Sequence, residues 1–199
     1  MIPSTLHKHE TEMILRLRKV CEAHDPGITR HLDNVAHFSA ELARLAGLAP
    51  EQVGHIALAA PLHDLGKIGL RRTLLEKPGI LDPNEMMIVQ SHTQIGHDLL
   101  AGSPWPIMQC AARIAHSHHE NWDGTGYPNG LRGEEIPLEA RIVAVADVYD
   151  ALLADRPYKP AWPEDRVIAE LTRLRNVKYE PALIDLFLAH LPQIRSKAA

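Results

Sequence analysis

The chain has no apolar run long enough to cross a bilayer, because Pro, Gly, His or a charge interrupts every candidate. Its first residues, MIPSTLHKHETEM, lack the apolar stretch of a secretory signal. Cysteine is scarce. Cys21 and Cys110 are too few for a disulfide framework and each sits among helix-forming residues, so a reducing cytoplasm is the expected setting. Positive charge is not in excess either. A net charge of −4 excludes a surface that coats nucleic acid, so a phosphate-bearing substrate would need cations placed locally. There is no strand-like alternation of useful length and no internal repeat.

What remains is helical. The 199 residues suit one domain, and a hydrophobic share of 45% is enough for a buried core. Leu6, Met13, Leu17 and Val20 mark one face of a first helix over about 6–20, ended by Pro26 and Gly27. Val35, Phe38, Leu42 and Leu45 predict a second over 29–46, and Val53, Ile56 and Ala60 a third over 50–63. A connector with a Pro-Gly turn follows, then helices over about 84–100 and 106–119, the latter with Ile107, Ala111, Ile114 and His118 on one face. Residues 121–137 hold four glycines and two prolines and read as a loop. Helices resume over about 138–154, 163–175 and 180–190. The class is all-α, packed as a bundle. Residues 1–28 are expected to form an N-terminal helix that serves as linker or dimerisation segment, and 29–199 the main domain.

Thirteen histidines are the unusual feature, and they matter only if they converge. Three apolar helical stretches carry ionisable residues: His63 and Asp64 in AAPLHDLGK, His118 and His119 in ARIAHSHHE, and Asp147 in ARIVAVADVYDAL. An ionised carboxylate taken out of water is costly unless paired or bound to a metal. One such residue is more often a hydrogen-bonded core group than a ligand; several together point to a divalent cation that satisfies them at once. Imidazole and carboxylate without thiolate suit Fe, Mn, Zn, Ni or Co rather than Ca. A carboxylate beside an imidazole can bind one metal with each group, or bridge two ions roughly 3.5–4 Å apart.

HDLGK at 63–67 resembles the signature of the HD-domain metal-dependent phosphohydrolases. HHENWDGTGYPNGLRGEEIPLEARIVAVADVYDAL, from His118 to Leu152, resembles their HD-GYP subfamily, including the triplet Gly126-Tyr127-Pro128. KPGIL at 77–81 and RPYKPA at 156–161 extend the likeness, which runs in looser form from about 10 to 190. The doublet alone is weakly specific; with the long block it is very specific. The resemblance implies an HD-domain helical bundle with a Gly/Pro-rich GYP loop. It implies a primary metal site on His31, His63, Asp64 and Asp147, and a second on His92, His118 and His119 with Asp64 bridging. Lys67 would contact the scissile phosphate and is a candidate proton donor, with Asp64 the other catalytic residue. Arg156 and Lys159 would bind substrate phosphates.

The implied activity is a cyclic di-GMP phosphodiesterase. A hydroxide held between two divalent metals, Fe or Mn first and then Zn, Ni or Co, would open the ring to pGpG, and a second round would give GMP. With Fe, oxidation state would modulate activity. Two rival readings are a silent module that binds cyclic di-GMP or a diguanylate cyclase partner, and a phosphohydrolase for another cyclic dinucleotide or nucleotide. The resemblance also implies an upstream receiver or sensor module, while the first helix offers a homodimer contact. Neither a nucleic-acid polymer nor a membrane is an expected partner.

Three departures from the subfamily stand out: Gly27 where many members carry a Glu that some use for a third metal, Asn34 for a frequent Arg, and Leu70-Arg71-Arg72 for Ile-Pro-Asp. None removes a ligand of the two-metal set, but they bear on substrate affinity and identity. His37, His55, His97 and His116 match no ligand and read as core or surface residues; His7, His9, His24 and His190 read as solvent-facing or structural. Tyr127 and Trp122, and likewise Tyr158, could stack on a guanine or only stiffen their segments. Glycines 124, 126, 130 and 133 read as turn residues rather than a phosphate cradle.

Overall fold

Prolines, glycines and local side-chain hydrogen bonds divide the protein, a computed structural model that describes residues 8–155 and 160–196, into short helices. Among the described residues they are α1 (Lys8–His24), α2 (Thr29–Leu45), α3 (Pro50–Ala59), α4 (Arg72–Leu75), α5 (Pro83–Gln90) and α6 (His92–Leu100). Then follow α7 (Pro106–Ser117), α8 (Leu138–Leu153), α9 (Glu164–Leu174), α10 (Pro181–Ala189) and α11 (Leu191–Ser196). The 3-10 turns Ala60–Leu62, Leu65–Gly69 and Gly133–Glu135 join them. No strand forms among the described residues; there are two isolated bridges, Asp123–Arg132 and Arg175–Tyr179.

The core lies where α2 packs between α3 and α8, and α7 packs on α3, α6 and α8. Leu32, Val35 and Leu42 of α2 are fully buried against this interior, as are Ile107, Ala111 and Ile114 of α7 and Ile142, Val143 and Ala146 of α8. Each large aliphatic side chain so buried contributes about 1.5–3 kcal/mol. Phe38, Tyr149 and Phe187 meet edge to face, with centroids 5.3, 5.1 and 6.4 Å apart, which ties α10 to α2 and α8.

α1 packs in a different phase from the expected stripe. Ile14 and Cys21 enter the shared core and Leu17 of the expected stripe packs against it, whereas Met13 and Val20 stay 42% and 43% exposed, and Leu6 lies outside the described residues. The helix has two adjoining apolar faces, and the one that meets the turn Leu65–Gly69 and α3 is the one buried. The third helix stops at Ala59 instead of His63, because Pro61 has no N–H and the chain tightens into a 3-10 turn. The expected helix over 84–100 breaks at Ser91. Ser91 Oγ donates to Ile88 O, His92 Nδ1 to Val89 O and Thr93 Oγ1 to Gln90 O, so three successive side chains compete for carbonyls of the helical ladder. Two helices were not expected: α4 inside the connector, and α11, which buries Leu191 and Ile194.

Candidate metal centre

The seven expected ligands converge from distant segments. His31 lies on α2, His63 and Asp64 between two 3-10 turns, His92 at the start of α6, His118 and His119 just after α7, and Asp147 on α8. They form two adjoining groups, His31–His63–Asp147 and Asp64–His92–His118–His119, and within each the potential ligand atoms all lie within 4.8 Å of one another. Asp64 faces both. Its Oδ2 is 3.4 Å from His63 Nε2, and its Oδ1 is 3.3 Å from His92 Nε2 and 3.8 Å from His118 Nε2. Asp147 Oδ1 is 3.3 Å from His31 Nε2 and 3.8 Å from His63 Nε2.

Gly66 lets these segments meet. A Cβ there would lie 1.9 Å from the His92 carbonyl oxygen and 2.5 Å from the Gly96 nitrogen, so only glycine lets the turn after Asp64 rest on α6. The imidazoles are then aimed by their far sides. The Nδ1 atoms of His63, His92 and His118 donate to the carbonyls of Ala60, Val89 and Ala115, at 2.9, 2.7 and 3.1 Å. His31 Nδ1 donates to Asp150 Oδ2 at 2.6 Å. Each Nε2 atom is thereby turned toward the carboxylates.

Lone pair then faces lone pair, an arrangement that calls for a cation. His63 Nε2, Asp64 Oδ1, His92 Nε2 and His118 Nε2 are buried and have no hydrogen-bond partner among the described residues. Nitrogen and carboxylate donors without thiolate fit a divalent transition metal, so this cluster could hold one. The electrostatics agree. Burial opposes the Asp64 charge, but Lys67, His63 and His118 hold its carboxyl well below the usual range. Burial likewise opposes the charge of the half-buried Asp147, and His31 and His63 hold its carboxyl low. His31 is pushed down by burial, yet its bonds to Asp147 and Asp150 raise it to about 9. Burial depresses His92 to about 4 and His119 to about 2, and the neighbouring His118 lowers both further, so these two rings stay neutral donors.

Lys67 Nζ donates to Asp64 Oδ2 at 2.5 Å, and its side chain is 35% exposed. Tyr127 stacks on His119 with centroids 4.8 Å apart and planes inclined 30°, so this aromatic forms a wall of the cluster. Trp122 instead lies under the Arg141 guanidinium, 5.6 Å away, within the structure of the loop. Arg156, Tyr158 and Lys159 lie outside the described residues. At Gly126 a Cβ would come within 2.2 Å of the Asn121 nitrogen, so a close turn within the loop requires this glycine. The other described histidines are in neither group, and His7 lies outside the described residues. His37 Nε2 donates to Ile194 O at 2.8 Å, and His97 packs on His116 with centroids 4.6 Å apart.

Two further residues support the site and were not singled out in the sequence. Asp150, one turn beyond Asp147, binds His31 and accepts from Asn34 Nδ2 at 2.6 Å. A second acid in the same apolar run was the available signal. Glu120 is buried and accepts from the backbone N–H groups of Asn129 and Leu131 at 2.8 and 3.0 Å, which clamps the loop beside His118 and His119. Its signal was an acid closing an apolar helix just before a Gly-rich stretch.

Comparison with known proteins places this geometry. The family model described as HD domain matches residues 16–183. The chain is 46% identical over 192 residues to the cyclic di-GMP phosphodiesterase response regulator RpfG of Xanthomonas campestris, covering 95% of the chain and 51% of that protein. It is 41% identical to the 3'3'-cGAMP-specific phosphodiesterase 2 of Vibrio cholerae, covering 93% of the chain and 35% of the relative. A cyclic di-GMP phosphodiesterase of Thermotoga maritima is 43% identical, with 89% and 48% covered. The chain thus spans about half or less of these relatives. Among solved structures, a cyclic GMP-AMP specific phosphodiesterase of V. cholerae shares the fold at TM-score 0.65 and 18% identity, over 94% of the chain and 50% of that structure. An HDG"Y"P protein from Bdellovibrio bacteriovorus does so at TM-score 0.65 and 22% identity, with 81% and 51% covered.

Proposed function

The chain belongs to the HD-domain family, in its HD-GYP branch, and from that premise we propose that it is a metal-dependent phosphodiesterase opening the 3′–5′ phosphodiester of cyclic di-GMP to pGpG. The observation that carries this reading is the placement of Asp64, whose two carboxylate oxygens face imidazoles of different groups, as a bridging ligand requires. His31, His63, Asp64 and Asp147 would hold one ion, and Asp64, His92, His118 and His119 the other. Fe or Mn leads the metal choice, with Zn, Ni and Co behind. Such a pair, when bound, lowers the pKa of a shared water and polarises a phosphoryl oxygen.

The chain's own groups do the rest. Lys67, charged and partly open to solvent, can place its ammonium on the scissile phosphate and protonate the departing ribose 3′ oxygen. Burial, with Asp64 and Asp147 close by, pushes the Tyr127 hydroxyl well above its usual range. Tyr127 therefore stays protonated, excludes water from one side of His119 and offers a donor to the substrate. Arg156 and Lys159 are assigned to the substrate phosphates by their place in the RPYKPA motif. A cytoplasmic setting fits two unpaired, buried cysteines, and no helix among the described residues is long and apolar enough to cross a membrane. A receiver or sensor module, or a diguanylate cyclase, would supply regulation; homodimerisation through α1 would use the exposed Met13 and Val20.

Similar identity to a relative named for 3'3'-cGAMP favours a second substrate reading, the hybrid cyclic dinucleotide. The test is an anaerobic preparation stripped of metal, reloaded with Fe(II), Mn(II) or Zn(II), and assayed by chromatography on cyclic di-GMP, 3'3'-cGAMP and a deoxynucleoside triphosphate. Linear dinucleotide should appear only in the metal-loaded samples. No turnover of either cyclic dinucleotide with any metal would refute the reading and leave a binding module.

A further inference from the structure

Outside the two metal groups, His97 and His116 meet across α6 and α7, with ring centroids 4.6 Å apart and planes inclined 38°. The helices approach closely at this point. A Cβ on Gly96, beside His97, would lie 3.2 Å from the Cβ of Ala115, beside His116. The spacing of the two rings falls within that of the imidazole pairs in the candidate metal groups, from 4.0 Å for His118–His119 to 5.7 Å for His31–His63. Unlike those groups, the pair is reachable from outside, for 34% of the His97 side chain is open to solvent.

One polar relay aims both rings. His97 Nδ1 donates to Asp98 Oδ1 at 3.1 Å, Gln94 Nε2 donates to the same oxygen at 2.7 Å, and Gln94 Oε1 accepts from His116 Nε2 at 3.1 Å. The bonds from His97 and Gln94 hold the Asp98 carboxyl below its ordinary range, so it stays an ionised acceptor. With one nitrogen of each ring committed as a donor, the other carries a lone pair: Nε2 of His97 and Nδ1 of His116. Neither of these has a hydrogen-bond partner among the described residues. A carboxylate that fixes one imidazole nitrogen and leaves the other free is how ligating histidines are held, and Asp150 does the same for His31.

We propose that His97 and His116 bind a further divalent metal ion, of the imidazole-preferring class of Zn(II), Cu(II) and Ni(II), on the surface where α6 crosses α7, with water in its remaining positions. A pair of imidazoles open to solvent holds an ion less tightly than the buried groups, so this ion exchanges and is taken up only when free metal is supplied. It ties α6, which begins at His92, to α7, which ends just before His118. The site shares no residue with the buried groups and does not depend on the phosphodiesterase reading.

Zn(II) is the probe. Wild type, His97→Gln and His116→Gln are loaded with Zn(II) at the buried centre, freed of excess metal and dialysed to equilibrium against a series of free Zn(II) concentrations. Bound Zn(II) is counted by elemental analysis, and circular dichroism checks folding. Wild type should take up one equivalent more than either variant; the remaining surface histidines are the same in all three proteins, so the difference counts this site alone. Wild type should also gain thermal stability over the same range of Zn(II), and both variants should lose that gain. Asp98→Asn keeps both rings but loosens the aim of His97, so it should move half-saturation to higher Zn(II), by about tenfold. Equal uptake by wild type and both variants would overturn the proposal, and so would loss of the extra equivalent in only one of the two histidine variants.

Discussion

His31 and Asp150 are joined by a 2.6 Å hydrogen bond across 119 positions of sequence, so an α8 carboxylate sets the direction in which an α2 imidazole presents its Nε2. Asp150→Ala removes that aim and one of the two acids that keep His31 basic. Affinity for metal at the His31–His63–Asp147 group should fall about 10–100-fold. Competition titration against a chromogenic chelator reads this, with circular dichroism to confirm folding. Unchanged affinity would show that His31 is positioned by other means.

Asp64→Ala takes away the one side chain that faces both groups. The purified variant should carry almost no metal by elemental analysis and have no turnover. Two metal equivalents, or full activity, in that variant would falsify the assignment of Asp64 as the bridge.

Stability should respond to pH in two directions when metal is removed. His31 has a folded pKa of about 9 against an ordinary value of 6.5, so its charge stabilises the fold fully below about 6.5, and this contribution is lost as pH rises toward 9. His92 and His119, at about 4 and about 2, act oppositely: below about 6.5 the unfolded chain gains their protons first, which destabilises the fold. Because metal competes with the His31 proton, the rise in Tm caused by saturating metal should grow between pH 6.5 and 8.5. Thermal scans with and without metal check this, and a gain that shrinks over that range contradicts it.

Gly66→Ala drives a methyl into the His92 carbonyl and the Gly96 amide, both backbone atoms that cannot rotate away. The variant should lose about 1–3 kcal/mol in urea unfolding, as overpacked sites do, and bind metal more weakly because α6 must shift. A neutral effect on both measurements would mean that the turn and α6 are not held in this contact in solution.

Glu120→Ala leaves the Asn129 and Leu131 amides without their acceptor. Hydrogen exchange at those two amides should speed up, and stability should fall by about 1–3 kcal/mol, as when hydrogen bonds to a charged acceptor are lost. Exchange that does not change would remove the clamp from the account.

Much of the site was legible because its residues break local rules: acids and imidazoles inside apolar helical runs announce themselves, as Asp147 and His118 do. Asp150 went unnoticed because a second acid at a helix end is ordinary until its partner is known. The phase of α1 differs from the expected one at Met13 and Val20, while Leu17 packs inward with Ile14 and Cys21, because periodicity alone does not say which of two adjoining apolar faces meets a neighbour. The break at Ser91 was missed because the 3.6-residue pattern runs through it, while side chains compete for its carbonyls.

The sequence by itself determined the donor types, the helical class and the aim of three imidazoles. His63, His92 and His118 are oriented by carbonyls three positions back, a bond within reach of any chain folded locally this way. Only the tertiary structure decided that His31 is aimed by Asp150 and that Asp64 faces two groups at once. Those relations depend on how α2, α6, α7 and α8 pack, and packing is set by the fit of side chains far apart in the chain rather than by any local pattern.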